Sequence, residues 1–283
     1  MAVDTDVDRH RDRIPDRIGT LWNRRENILL TATGLTGFLL LWSLGARTVS
    51  PDFMLPSPSA SGRAFVTLFI ETIPYTLPVV GQTGLPVGVV KLLQSLTHYV
   101  PGVIAGTAVG ICLGIVTALF PRVETLLSPA IRLLRPIPPL AWMAFAIIWF
   151  GIHHTGAAFI VFIGAIWINF YGAHSGVKDV PDRLPEVAES LGVSSTVGMV
   201  RKIILPAAAP AIITSFRTSV GRCWMILVGA ELFGAPGAGY EIINAANNLA
   251  MDVSVAYMML VSGTFVLMDT AAGTFERRVL AWR

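Results

Sequence analysis

Residues 186–206 read EVAESLGVSSTVGMVRKIILP. The stretch is polar and compatible with helix, and it sits between two long apolar runs. A chain that keeps such a segment between membrane spans presents it to something in the aqueous phase. The fold is decided by what lies on either side of it.

Only 14% of the 283 residues are charged and 53% are hydrophobic, with a mean hydropathy of +0.64. Soluble domains carry about 25% charged residues. The charges that remain cluster between apolar stretches, as loops between spans require. A bilayer core roughly 30 Å thick takes about 20 apolar residues of helix to cross. Six segments fit: residues 28–46, 99–120, 137–151, 155–173, 206–233 and 253–275. Prolines break the third and charges interrupt the fifth. The sequence therefore predicts an all-α membrane protein of six transmembrane helices. A charged tail over 1–27 precedes a transmembrane domain over 28–283, and a loop spans 176–206.

Lys and Arg set the orientation. The tail holds Arg9, Arg11, Arg13, Arg17, Arg24 and Arg25. The second-to-third loop holds Arg122, Arg132 and Arg135, and the fourth-to-fifth loop Lys178, Arg183, Arg201 and Lys202. Arg277, Arg278 and Arg283 close the chain, while the other side has Arg47, Arg63 and Lys91. Both termini and the 176–206 loop are expected to be cytoplasmic. The same bias explains the basic pI of about 9.1, so it is read as topology and not as affinity for nucleic acid. Cys112 and Cys223 each lie inside an apolar run and read as small buried hydrophobes, not as a disulfide or metal pair. The long charged N-terminus and span-length first apolar run suit an uncleaved anchor better than a cleaved signal.

The stretch 50–98 is long for an outer connection. SGRAFVTLFIET suits a short amphipathic helix along the membrane surface, and IPYTLPVVGQTGLPVG reads as irregular. In the second span Gly102, Gly106, Gly110 and Gly114 recur every four residues. Such a small-residue stripe lets a second helix approach closely, either inside one subunit or between two copies. The third span opens with RPIPPLAW, residues 135–142, in which Pro136, Pro138 and Pro139 deny the helix its donors. Broken backbone at membrane depth is tolerated where protein or a water-filled cavity satisfies it. The junction of Arg135, the three prolines and Met143 is thus a candidate for a pathway or gate, or marks the cytoplasmic end of a helix. The fifth span carries Arg217, Arg222 and Glu231, and intramembrane charge is a functional candidate by default. Arg217 is placed to snorkel. Arg222 and Glu231, nine residues apart, fall on different faces. Met225 lies between them.

No G-x-x-x-x-G-K-[ST] phosphate loop occurs, and GLPVGVVK at residues 84–91 has the wrong spacing. The adjacent His153 and His154 have no acidic or cysteine partner nearby in sequence, so a metal site there is disfavoured. No catalytic constellation is present. A stand-alone secondary transporter or channel would need ionisable groups at midplane and often internal repeats. Few such groups and no clear repeat are found.

The chain resembles the permease subunit of ATP-binding-cassette importers, in the nitrate/sulfonate/taurine/bicarbonate group. The family's cytoplasmic signature is E-A-A, three residues, G, nine residues, I-x-L-P. Glu186, Val187 and Ala188 stand for its first three positions, Gly192 for its glycine, and Ile203, Leu205 and Pro206 for its end. Val187 replaces an alanine, and ten residues separate Gly192 from Ile203. RPIPPLAWMAFAIIWFGI at residues 135–152 is the most specific match. MLPSPSA at 54–60 and GRCWMILVGAELFGAPGAGYEI at 221–242 add to it, the latter with Glu231, Gly239 and Tyr240. The resemblance implies a type I ABC importer permease fold in a prokaryotic inner membrane. It implies that Glu186, Val187, Ala188, Glu189 and Gly192 belong to a coupling helix that docks on cytosolic ATPase subunits. Those subunits carry ATP and Mg, and this chain needs no cofactor of its own. A second permease copy in a homodimer, an extracytoplasmic substrate-binding protein and surrounding lipid complete the implied partners. The implied solute is a small anion or sulfonate-like compound.

Overall fold

The computed structural model describes residues 17–51, 53–77, 81–193 and 195–280. Most of the acidic–basic tail lies outside the described residues. The chain divides into two compact units, Met1–Ser59 and Ala60–Arg283. In the first, α1 runs over Arg17–Thr48, and its Glu26–Thr48 part is long and apolar enough to cross a membrane. Helix is thus already present at Arg17, inside the stretch expected to be tail. The hydroxyls of Thr31, Thr33 and Ser43 donate to carbonyls four residues back, which satisfies them within an apolar helix. The Trp42 indole donates to the Pro56 carbonyl at 3.0 Å, folding the chain back beside the helix end.

The elements that follow are α2 (Pro58–Ile70), β1 (Thr72–Leu77), β2 (Gly81–Pro86), α3 (Val87–Leu119), α4 (Pro121–Leu134), α5 (Met143–Phe150), α6 (His154–Lys178), α7 (Arg183–Ser190), α8 (Thr196–Met199), α9 (Leu205–Glu231), α10 (Ala238–Asn247) and α11 (Met251–Val279). With the span in α1, the helical stretches Val87–Leu119, His154–Lys178, Thr196–Glu231 and Met251–Val279 make five candidate membrane spans among the described residues. A sixth is available only as a bent pair: Pro121–Leu134 and Pro139–Phe150 meet at 86°. The segment expected as a third straight span is therefore a 3-10 turn over Pro139–Trp142 followed by the eight residues of α5. Proline without an N–H cannot continue the ladder, and the chain turns there instead.

The glycine stripe explains why a crossing is needed at that point. A Cβ at Gly102, Gly106, Gly110 or Gly114 would lie 2.5–2.6 Å from the carbonyl oxygens of Ala158, Phe162, Ile166 and Phe170 in turn. The stripe packs inside one subunit, backbone against backbone. Its register rises together on both helices, so α3 and α6 run parallel and the chain must return between them. The α4–α5 pair makes that return. On the next side of α6, α9 runs antiparallel: Gly164 meets Cys223 and Ile226, and Gly176 meets Ala208 and Ala211. Tyr99, Val103, Val161, Ala165, Cys223, Trp224 and Leu227 form the core where α3, α6 and α9 meet. The Tyr99 hydroxyl donates to the Val220 carbonyl at 2.7 Å, and the Trp224 indole to the Val261 carbonyl at 3.1 Å. The second bond ties α11 to the bundle.

Two further expectations, on residues 72–86 and on Cys112, are corrected, and the short helix expected after the first span is present. The segment read as irregular forms an antiparallel hairpin, from Thr72 opposite Pro86 to Leu77 opposite Gly81. In a two-stranded ribbon both strands are edges, so Pro74 and Pro86 cost no ladder bond that a neighbour requires. The helix expected to lie on the membrane surface, α2, packs Leu68 with Ala238, Ile242, Tyr257 and Leu260. Of the two cysteines only Cys223 is buried, and Cys112 is exposed.

Candidate functional site

Residues 186–206 fall in α7, α8 and the start of α9. In α7, Leu184, Val187 and Leu191 follow at helical spacing on one face and are 44%, 56% and 79% exposed. Glu186 and Glu189 are exposed on its flanks. Ala188 turns the other way and is buried, its methyl packed on the chain itself. The Ser190 hydroxyl donates to the Glu186 carbonyl within the helix. The helix ends in a Schellman arrangement: Gly192 N–H donates to Glu189 O at 3.0 Å and Val193 N–H to Ala188 O at 2.9 Å. Gly192 has φ +88° with no atom near a would-be Cβ. The backbone conformation alone accounts for the signature glycine. The tenth residue before Ile203 is also located. Val200–Ile204 is a π-helical turn, which encloses one residue more than an α-turn.

The proline junction builds a cleft against α6 and α9. Pro139 and Leu140 project toward the notches at Gly164 and Gly229. The cleft, about 430 Å³, is lined by Arg135, Pro138, Pro139, Trp167, Tyr171 and Arg222 together with isoleucines. The Arg135 guanidinium stacks on the Tyr171 ring, 4.2 Å from its centroid. Arg135, Pro138, Pro139 and Arg222 are thus brought together. Pro136 is exposed at the bend. The other candidates lie elsewhere. Met143 is packed in a core with Ala146, Ala157, Ile160 and Ala230. Met225 lines a separate apolar groove with Trp224, Phe265 and Val266.

Glu231 is buried in a polar network. Its Oε1 accepts from His98 Nε2 at 2.6 Å and its Oε2 from the Gly239 N–H at 2.7 Å. His98 Nδ1 and His154 Nδ1 are hydrogen-bonded across 2.9 Å, and the Ser95 hydroxyl accepts from the Ala238 N–H. Gly237 and Gly239 leave the room that the carboxylate occupies at the start of α10. Sequence reasoning missed His98 and denied His154 an acidic neighbour. The available signal was that two lone titratable groups in apolar runs require each other. Arg217, expected to snorkel, pairs with Glu276 at 2.8 Å and Asp269 at 3.6 Å. Among the described residues no group of three or more His, Cys, Asp or Glu side chains is placed to hold a metal.

The family model of the binding-protein-dependent transport system inner membrane component matches residues 110–281. The chain belongs to that family. The permease is 30% identical to the bicarbonate transport system permease protein CmpB of Synechococcus elongatus over 92% of each chain. It is also 30% identical to the taurine transport system permease protein TauC of Escherichia coli over 94% of each chain. Its fold is similar to the inward-facing MetNI methionine ABC transporter, with TM-score 0.59 and 19% identity over 68% of this chain and 95% of that one. The expected type I importer fold and the family read from residues 135–152 both hold. The permease is a multi-pass inner membrane component of a binding-protein-dependent ABC importer, and the stand-alone transporter reading falls.

Proposed function

We propose that this permease forms the membrane pathway of an ATP-driven importer for a small anion of the bicarbonate, nitrate or sulfonate class. Both termini and α7 face the cytosol. Two copies enclose the pathway, a binding protein delivers solute to the outer face, and two ATPase subunits dock on the α7 segments. ATP and Mg bind the ATPase, and this chain performs no covalent chemistry. The observation that carries the reading is the exposed stripe of Leu184, Val187 and Leu191, held at a fixed angle by the Gly192 turn. An apolar face beside the membrane requires a cover, and a helix laid in a groove is read through such anchors. Closing the ATPase pair would draw the two α7 segments together and switch access. Proteoliposomes holding permease and ATPase test it, with binding protein, labelled bicarbonate, nitrate and taurine outside and ATP within. Uptake of one solute that needs ATP and binding protein is the expected result. Uptake without ATPase would overturn the reading.

A further inference from the structure

Charges along the spans of this permease come with partners. His98 faces Glu231, Lys91 faces Glu241, and Arg217 faces Glu276 and Asp269. Arg222 does not. Among the described residues it makes no ion pair, hydrogen bond or ring stack. It lies on α9 one turn beyond Thr218 and opens into the proline cleft. A guanidinium stays charged at any working pH, and an unpaired one at membrane depth is costly. An anion that comes to it would offset that cost.

The rest of the cleft says what that something is. Arg135 supplies a second cation, also without a carboxylate partner among the described residues. The Trp167 indole N–H and the Tyr171 hydroxyl have no hydrogen-bond partner among them either and line the same wall. Pro138, Pro139 and isoleucines make up the remainder. Organic ligands occupy clefts of about 300–1,000 Å³ with mainly apolar walls and a few convergent polar groups. A bare inorganic oxyanion takes up little more than one or two waters, roughly 30 Å³ each. It would leave most of the 430 Å³ and the whole apolar wall unused. The cleft also continues. At Ile168 it meets a second one, about 600 Å³, lined by Thr214 and Thr218. Residues 214, 218 and 222 therefore form one polar stripe along the α6–α9 groove.

We propose that this cleft binds an organic anion. Its sulfonate or carboxylate head sits on the Arg222 guanidinium, and its apolar or flat body lies against Trp167, Tyr171 and the Pro138–Pro139 corner. The site's place in a pathway rests on the importer reading, and within that reading it selects organic sulfonates and carboxylates over nitrate and bicarbonate.

The test uses the permease–ATPase complex in phosphatidylcholine nanodiscs, titrated calorimetrically with benzenesulfonate, nitrate and bicarbonate. Benzenesulfonate is expected to bind at least tenfold more tightly than either inorganic ion. Arg222→Gln is expected to lose at least that factor, with Arg222→Lys in between. The thermal midpoint of Arg222→Gln should match or exceed that of the parent, because an unpaired charge has been removed. Equal affinity in Arg222→Gln, preference for nitrate or bicarbonate, or no binding of any of the three overturns the proposal. Loss of benzenesulfonate binding when phosphatidylglycerol replaces phosphatidylcholine also overturns it, since the cleft then holds a lipid headgroup. ATP-dependent uptake in parallel proteoliposomes separates the two readings. Uptake with unchanged solute affinity in Arg222→Gln sinks the site and leaves the importer. No uptake by the parent sinks the importer.

Discussion

The two ends of the α6–α9 pair are built on opposite terms. At one end, the polar groups of α3, α6, α9 and α10 answer one another: His154, His98, Glu231 and the Gly239 N–H form one continuous chain. At the other end, α7 holds an apolar stripe that nothing among the described residues covers, and its polar residues bond only within the helix or face outward. The first end is complete as a single chain. The second, on the proposed function, is finished by the ATPase. Substitutions at the two ends should therefore separate stability from coupling.

Removing the carboxylate should give the largest loss of stability. Glu231→Ala leaves His98 buried without its partner, and breaking a buried pair costs about 3–5 kcal/mol. Thermal unfolding in detergent would show it, and an unchanged midpoint would mean the network is not closed as described. Next comes Gly106→Ala, which pushes a methyl onto the Phe162 carbonyl. Overpacking of this kind costs about 1–3 kcal/mol, and α6 meets the methyl with backbone that cannot rotate aside. At the α7 end, Gly192→Val forces a branched residue to φ +88°, a strain of about 1–2 kcal/mol. Confined to a loop, it should leave insertion and solute binding intact while ATP-driven uptake is lost. Normal ATPase assembly and uptake in that variant would contradict the docking role. Lys91→Met removes a half-buried ion pair to Glu241 and should cost about 1 kcal/mol or less. Leu191→Asp comes last on this scale. A surface change away from packed features shifts stability by about 0.5 kcal/mol or less, yet co-purification with the ATPase should fall sharply. If Leu191→Asp unfolds the protein instead, the contrast between the ends is wrong.

Much of this was legible in the chain. Apolar run lengths and the four-residue glycine spacing are local signals, and the helices follow them. Gly192 was legible as a position, but the backbone conformation behind it was not. Its role comes from φ, which a sequence encodes only through the residue type. The His98–Glu231 pair was not legible, because its members stand 133 residues apart and neither has a local pattern. Arg217 and Arg222 looked alike in sequence, five residues apart on one helix. Their difference depends on α11, which brings Glu276 to one and nothing to the other. The β1–β2 hairpin was hidden by its prolines, which argue against strands only when both edges of a strand are paired.

The glycine register between α3 and α6 has a mechanical consequence. Four successive turns of α3 backbone lie against α6 with no α3 side chain between them. Sliding one helix along the other by less than a full turn would drive neighbouring side chains into carbonyl oxygens. The two helices therefore behave as a single strut, and opening and closing of the pathway falls to the helices that lean on it.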